Sequence, residues 1–109
     1  MPIFITQGRF TQGAMQGLMA RPEDRESAAR QLIESAGGKL LAFYMTFGDY
    51  DWLAVSEGEQ EGIAAALIAG AARGAVTDVK TMLAMTASDM QNAFTKAGTL
   101  AASFKHPGK

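Results

Sequence analysis

Two apolar, aromatic-rich runs separated by a short polar turn occupy residues 39–57. The first run ends at Phe47, the turn reads Gly-Asp-Tyr-Asp, and the second run begins at Trp52. This pattern predicts a β-hairpin, because extended apolar segments flank residues that suit a turn. Gly48 can adopt the positive φ that such turns often need, and Asp49 tolerates turn geometry. We expect this hairpin to be the central antiparallel pair of a sheet.

The sequence on either side of the hairpin predicts two more strands and four helices. Strand-favouring residues fill 2–10 and 75–86. The predicted helices are residues 12–19, 22–35, 59–73 and 87–104. Thr11 is the candidate N-cap of the first helix, and Ser88 is the candidate N-cap of the last. If the first two helical pieces count as one region, the order matches the βαββαβ ferredoxin-like unit. We therefore predict an α+β, ferredoxin-like fold in residues 1–86, followed by an extra C-terminal helix and a mobile tail in residues 87–109.

Both faces of the predicted sheet carry apolar side chains. Regular alternation would place Leu41, Phe43, Met45 and Phe47 on one face of the first hairpin strand, and Leu40, Ala42, Tyr44 and Thr46 on the other. In the second strand, Leu53 and Val55 would oppose Tyr50, Trp52 and Ala54. Helices cover only one face of such a sheet, and a wet opposite face should be polar.

This second apolar face could be buried in two ways: by the C-terminal helix folded back over it, or by another copy of the chain. An uncovered patch of this size is unusual in a monomer. We predict a homo-oligomer with its sheets face to face. The C-terminal helix would then lie at the rim or extend across to the partner.

Three segments together resemble the GYD domain family, a group of small bacterial proteins of largely unassigned function. They are the opening Pro-Ile-Phe-Ile-Thr, the stretch Glu-Ser-Ala-Ala-Arg-Gln-Leu, and the run from Gly37 to Asp51. The Gly-x-Tyr-Asp signature falls on Gly48, Tyr50 and Asp51. The resemblance covers residues 2–86 and implies a ferredoxin-like fold of the dimeric α+β barrel type. It implies no particular reaction.

Polar and aromatic side chains near the hairpin turn are the candidates for chemistry. Asp51, Tyr50 and Tyr44 are candidate catalytic residues, because a carboxylate can act as acid or base and a tyrosine hydroxyl can donate to an oxyanion. A wider candidate ligand site comprises Tyr44, Tyr50, Asp51, Trp52, Arg9 and Lys39, in a pocket between helices and sheet or inside a barrel. Arg9 and Lys39 would serve as charge partners for Asp51.

A structural interpretation stands beside each of these candidates. Asp49 would shape the turn, and Asp51 would accept hydrogen bonds from nearby backbone N–H groups. Tyr44, Tyr50 and Trp52 would share one face and pack an interface, since interfaces are rich in tyrosine and tryptophan.

Composition narrows the classes of partner. The net charge of -1 argues against nucleic acid, which needs clustered Lys and Arg. The chain has no cysteine and one histidine, His106, so we expect no metal site and no cofactor. No apolar run approaches the roughly 20 residues of a membrane helix, and the N-terminus lacks the features of a signal peptide. We therefore expect a cytoplasmic protein with no membrane partner.

Two classes of function stay open at this point. One is an oligomeric ligand-binding or scaffolding module with no reaction. The other is a small cofactor-independent enzyme, resembling a monooxygenase or isomerase, that acts on a small substrate, for example an aromatic one, in a pocket between sheet and helices. A pocket that opens to solvent beside Tyr44, Tyr50 or Asp51 would favour a ligand or substrate, whereas a solid core there would favour scaffolding.

Overall fold

A computed structural model describes residues 1–108 as one four-stranded sheet with helices. The elements in order are β1 (Ile3–Phe10), α1 (Gln12–Ala20), α2 (Arg25–Ser35), β2 (Lys39–Met45), β3 (Trp52–Glu57), α3 (Gln60–Ala72), β4 (Val76–Ala84) and α4 (Ala87–Ser103). The strand order is β2-β3-β1-β4, and every neighbouring pair is antiparallel. This is the predicted ferredoxin-like α+β fold with an extra C-terminal helix. Lys109, at the end of the predicted tail, lies outside the described residues.

The predicted hairpin is present, but it is not the centre of the sheet. β1 and β3 form the central pair, and β2 lies at an edge. Long-range pairing decides this arrangement, because β1 inserts between β3 and β4. Within the turn, Gly48 has a φ of 142°, and Thr46 closes the loop by donating from its N–H to the Asp51 carbonyl over 2.9 Å.

The core lies on one face of the sheet, under α2 and α3. β1 alternates strictly, so that every second residue from Phe4 to Phe10 is buried beneath the helices. Trp52 and Ala54 of β3 and Leu40 of β2 are buried on the same face. From the helices, Ile33, Ile63 and Ala66 complete the core. The buried Thr6 hydroxyl is satisfied by the Thr81 hydroxyl at 3.1 Å.

Each edge strand contains a β-bulge. In β2 the register shifts between Leu40 and Ala42, so Leu41 is an extra residue. In β4 a second shift comes opposite Gly8, where Asp78 has a φ of 51°. The first bulge makes the predicted alternation of β2 wrong, because the extra residue moves Leu40 and Phe43 to the same face.

The face of the sheet opposite the helices, here called the open face, is largely apolar. Its apolar members, from the burial pattern and the strand register, are Ile3, Ile5, Ala42, Tyr44, Leu53, Val55, Met82 and Ala84. Its polar members are Gln7, Arg9, Lys39, Glu57, Thr77 and Lys80. None of the apolar members is buried in the single chain, and Tyr44 is 65% exposed.

Side-chain caps set where several helices begin. Thr11 caps α1 as predicted, accepting from the Ala14 N–H. Asp24 accepts from the N–H groups of Glu26 and Ser27, so α2 starts three residues later than predicted. For α4 the cap is Thr86 and not Ser88, because the Thr86 hydroxyl accepts from the Asp89 N–H.

The last helix, α4, extends away from the rest of the molecule. None of its residues is buried, and the described chain measures 62 Å along its longest axis. Among residues 1–108, no helix combines the length and apolar character that a membrane crossing requires.

Candidate functional site

A cavity of about 100 Å³ lies between the helices and the helix-covered face of the sheet. Its lining is almost entirely apolar and comes from β1, α2, β2, β3, α3 and β4. Among the residues that shape it are Leu32, Phe43 and Trp52. The Phe43 and Trp52 rings stack with centroids 6.4 Å apart and planes inclined by 12°.

Trp52 contributes the one buried polar side-chain atom that has no partner within residues 1–108. Its side chain is 5% exposed, and its Nε1–H finds no hydrogen-bond acceptor. An unsatisfied buried donor costs about 1–3 kcal/mol, so most such groups in proteins are paired. Trp52 thus combines a ring that lines the cavity with a buried N–H that the described chain leaves unpaired.

Small neighbouring residues explain how the large Trp52 side chain fits between the sheet and α3. Gly8 of β1 lies directly beneath the Trp52 ring, and a Cβ atom at Gly8 would overlap Cζ2 of the indole. On the helix side, Ala66 and Gly70 of α3 also line the cavity. The alanine-rich α3 thus approaches the sheet closely, and the cavity lies where its small side chains leave space.

Arg25, the first residue of α2, lies at the boundary between the cavity and solvent. Its guanidinium is 5.9 Å from the Phe10 ring centroid and forms an ion pair with Glu23 at 3.3 Å. Arg25 also lines two surface clefts beside the cavity, which include Leu18, Pro22 and Glu23. Of the cavity lining within the described chain, Arg25 is the one ionisable side chain. The cavity itself therefore supports binding more directly than acid–base chemistry.

Asp51 connects the end of β1 to the start of β3. Its Oδ2 accepts from the Phe10 N–H at 2.9 Å, and its own N–H donates to the Gly8 carbonyl at 2.8 Å. The contact of its carboxylate is thus a backbone N–H, and no ion pair joins it to Arg9 or Lys39 within residues 1–108. These contacts match the structural interpretation of Asp51.

The predicted ligand residues divide between the two faces of the sheet. Trp52 lies on the helix-covered face, whereas Tyr44 pairs with Leu53 and belongs to the open face. The expectation that Trp52 shares a face with Tyr44 and Tyr50 is therefore wrong. The β2 bulge accounts in part for the difference, because it changes which residues of β2 face the helices.

Tyr50 lies beside two basic side chains at one end of the open face. Its ring centroid is 6.0 Å from the Arg9 guanidinium and 5.9 Å from the Lys80 ammonium. Lys39, in contrast, pairs in register with Glu57 at the other end of the hairpin. Arg9 is thus brought next to Tyr50, and Lys39 is not. Cation–π contacts at such partly exposed sites contribute about 0.5–1 kcal/mol.

The remaining polar residues form no compact centre. Within residues 1–108, no group of three or more His, Asp or Glu side chains is placed to hold a metal ion. His106 is exposed, and its Nδ1 lies 2.7 Å from the Pro107 carbonyl oxygen. Asp49 is exposed in the hairpin turn.

Sequence reasoning missed Arg25, Phe43 and Leu32 as cavity residues, although it included Trp52. Acidic residues surround Arg25 in the sequence, which is typical of a solvated helix face. One available signal was the concentration of alanine and glycine in α3, which predicts close approach to the sheet. That signal does not reveal which large side chains meet beneath the helix.

Comparisons with known proteins agree with this fold. A family model described as GYD domain matches residues 4–94, which is most of the chain and extends past residue 86 into α4. No curated protein matches the chain.

Solved structures of similar shape come from several sources. The crystal structure of TTHA0845 from Thermus thermophilus has a TM-score of 0.52 and 19% identity, covering 80% of this chain and 96% of that one. The crystal structure of FFRP-DM1 has a TM-score of 0.43 and 19% identity, covering 78% and 100%. Hypothetical protein PHS023 from Pyrococcus horikoshii has a TM-score of 0.43 and 18% identity, covering 79% and 92%. The first of these likenesses supports the fold alone.

Proposed function

The chain belongs to the GYD domain family, and from this premise we propose that it is a small-ligand-binding domain that assembles as a homo-oligomer. The observation that carries the binding proposal is the cavity lined by Trp52, whose buried Nε1–H has no acceptor. The proposal is that a molecule in the cavity brings an acceptor atom to that donor.

The character of the cavity indicates the class of ligand. Water occupies about 30 Å³ but needs about two to four polar partners to be stable in a protein interior. The apolar lining offers too few such partners. A small aromatic or aliphatic group bearing one carbonyl or carboxylate oxygen fits better, with its apolar part against Leu32 and Phe43. A carboxylate end could reach toward Arg25 at the boundary with solvent.

We propose binding in preference to the enzyme alternative because of where the candidate catalytic groups lie. Within the described chain, Tyr44, Tyr50 and Asp51 do not line the cavity. The Asp51 carboxylate already accepts a hydrogen bond from the backbone of Phe10. The cavity lies beside Trp52 and not beside Tyr44, Tyr50 or Asp51, where a ligand pocket was expected, and we take its presence to support a ligand over a purely scaffolding role.

The single tryptophan provides a direct test of this proposal. In ¹H–¹⁵N NMR spectra its Nε1–H gives one indole signal. We expect acetophenone, a neutral aromatic carbonyl, to shift that signal in a saturable manner. Ethylbenzene has a similar shape but no acceptor, and it should bind up to about tenfold more weakly, since a net hydrogen bond contributes about 0.5–1.5 kcal/mol.

Matched substitutions in α3 complete the experiment. Ala66→Val adds volume to the cavity lining and should abolish the shift, whereas Ala64→Val changes an exposed position of the same helix and should leave it unchanged. Benzoate serves as a third, charged probe. If acetophenone, ethylbenzene and benzoate all leave the indole signal unchanged, the binding proposal is contradicted. Equal affinity for acetophenone and ethylbenzene would contradict the role of Nε1–H.

The assembly part of the proposal is supported by the open face. A standard interface buries about 800 Å² per partner. At about 25 cal/mol per Å² this corresponds to a gross stabilisation of order 20 kcal/mol per partner, against association costs of about 4–15 kcal/mol. An interface of that size would offset the association costs, and sheets paired through their open faces would cover side chains such as Tyr44 and Met82.

Two neighbouring residues of β4 allow a controlled test of the assembly. Met82 belongs to the open face and is 56% exposed, whereas Leu83 points to the other face and is 68% exposed. We expect Met82→Glu to convert the protein to monomer in light scattering, and Leu83→Glu to leave it oligomeric. A mass of 11.5 kDa for the unmodified chain at micromolar concentration would contradict the proposal.

A further inference from the structure

The helix α4 is the largest element that the fold leaves without packing. It has 17 residues, none of them buried. A helix of this size is about 25 Å long. It begins after a two-residue connection from β4, with the Thr86 cap fixing its start. It therefore leaves the sheet directly beside the edge that carries Met82 and Ala84 of the open face.

The apolar residues of α4 lie on one side. At about 3.6 residues per turn they spread over about 120° of the circumference, the width typical of a helix that packs on another surface. This apolar stripe consists of Met90, Ala93, Phe94, Ala97, Leu100, Ala101 and Phe104, the last being the residue that caps the helix. The polar and charged residues, such as Asp89, Lys96 and Thr99, lie on the other side.

The large apolar side chains of the stripe are mostly exposed to solvent, which is unfavourable for an unpacked helix. Phe94 is 70% exposed and Phe104 is 74% exposed. In proteins, most of the stability of a helix comes from packing of its apolar face and not from helix propensity. Gly98 and the β-branched Thr95 and Thr99 lower the helix propensity further. The helical state of α4 therefore depends on a surface that covers the stripe.

We propose that the apolar stripe of α4 packs against a second copy of this chain, and that this copy is the one covering the open face. This inference rests on the homo-oligomer proposed above. The described chain offers no cover of its own, because α4 projects away from the sheet and the helices. The uncharged stripe calls for an apolar partner surface, and a second copy brings one to the same edge of the sheet.

The area of the stripe supports a shared interface over an independent one. Two phenylalanines can bury roughly 300 Å² or more per chain. That is well below the roughly 800 Å² per partner of a standard interface. Contacts through these two side chains alone would thus fall short of a standard interface, so we place the stripe as one part of a larger interface that includes the open face. The second half of α4 lies beyond the residues that match the family, so this contact would be a feature of this chain.

The absence of cysteine makes a clean probe experiment possible. Ala101 lies on the stripe, and Ala102, the next residue, lies on the polar side of the helix. Each is replaced by cysteine in the full-length chain and labelled with a solvent-sensitive fluorophore. We expect the label at Ala101→Cys to emit at shorter wavelength than the label at Ala102→Cys, because only the first is removed from water.

The substitution that disrupts the open face identifies what covers the stripe. With Met82→Glu added, the emission at Ala101→Cys should shift to that of Ala102→Cys. A label at Ala101→Cys that stays protected in the monomeric Met82→Glu protein would show cover from its own chain and would overturn the inference. Equal emission of the two labels in an oligomeric protein would also overturn it, while leaving the open-face assembly intact. A monomeric unmodified chain would overturn both.

A second pair of variants measures the strength of the contact. Phe94→Gln combined with Leu100→Gln should raise the dimer Kd by roughly tenfold or more, since buried anchors dominate interface energies. Thr95→Gln combined with Thr99→Gln changes the polar side of the same turns and should leave the Kd within about twofold. Equal Kd values for the two pairs would argue against the inference.

Discussion

Asp51 joins the hairpin turn to the end of β1 through its backbone and its side chain. Its N–H and carboxylate bind the end of β1, and its carbonyl accepts from Thr46 across the hairpin turn. The Asp of the family signature thus fixes the turn against the neighbouring strand. Tyr50, one position earlier, is placed by the same contacts between Arg9 and Lys80.

Removing the Asp51 side chain should destabilise the fold. Asp51→Ala leaves the partly buried Phe10 N–H without its acceptor, which should lower the free energy of unfolding by about 1–3 kcal/mol in urea titrations. Asp51→Asn keeps an acceptor oxygen and should lose less. Asp49→Ala, at an exposed turn position, is the control and should change stability by less than about 0.5 kcal/mol. Equal losses for Asp49→Ala and Asp51→Ala would refute this role.

Gly8 is expected to be indispensable beneath Trp52. In Gly8→Ala the new methyl group overlaps the indole, so the ring must move at a cost of about 1–3 kcal/mol, with a changed tryptophan emission. Gly13→Ala is a suitable comparison, because a Cβ there meets nothing within 4 Å and alanine favours the helix by up to about 1 kcal/mol. Unchanged emission and stability in Gly8→Ala would contradict the packing described for Trp52.

At the scale of elements, local patterns predicted nearly all of the helices and strands. The hairpin and the Thr11 cap were both visible in residue type and spacing. The bulge at Leu41 could not be predicted from the sequence. Leu40, Leu41 and Ala42 are all apolar, so the pattern does not show where the register shifts. The edge position of β2 depends on pairing with β1, which lies far away in sequence.

The candidate site was less predictable than the fold. Trp52 could be identified as important from its position in the hairpin, but its buried face and unused N–H follow from packing between separate elements. Tyr44 and Tyr50 looked equivalent to it by simple alternation. Only the three-dimensional register separates them from the cavity.

Two glycines of α3 should respond oppositely to the same substitution. A Cβ at Gly62 would lie 2.5 Å from the Ala36 carbonyl oxygen, so Gly62→Ala should force α2 and α3 apart and cost about 1–3 kcal/mol. A Cβ at Gly70 would be 3.5 Å from Val76, an ordinary contact. Gly70→Ala should therefore be neutral or stabilising by up to about 1 kcal/mol. Thermal unfolding of both variants tests this, and similar melting temperatures would count against it.

At the scale of the whole molecule, the open face and the stripe of α4 are exposed apolar surfaces on neighbouring parts of the described chain. If both are covered by a second copy, folding and association are linked. The melting temperature should then rise with protein concentration, because mass action favours the assembled native state. Calorimetry over a hundredfold range of concentration measures this, with Met82→Glu as the comparison. A concentration-independent melting temperature for the unmodified chain would argue for a self-contained monomer.

The bulges in β2 and β4 have a consequence for how copies of this chain meet. Both outer strands are available for hydrogen bonding along their free sides, which is the geometry from which fibrils and runaway sheets grow. The irregular backbone at Leu41 and Asp78 interrupts each of those sides, so another strand cannot align along its full length. Growth by lateral extension is thereby discouraged, which is compatible with the face-to-face assembly proposed above.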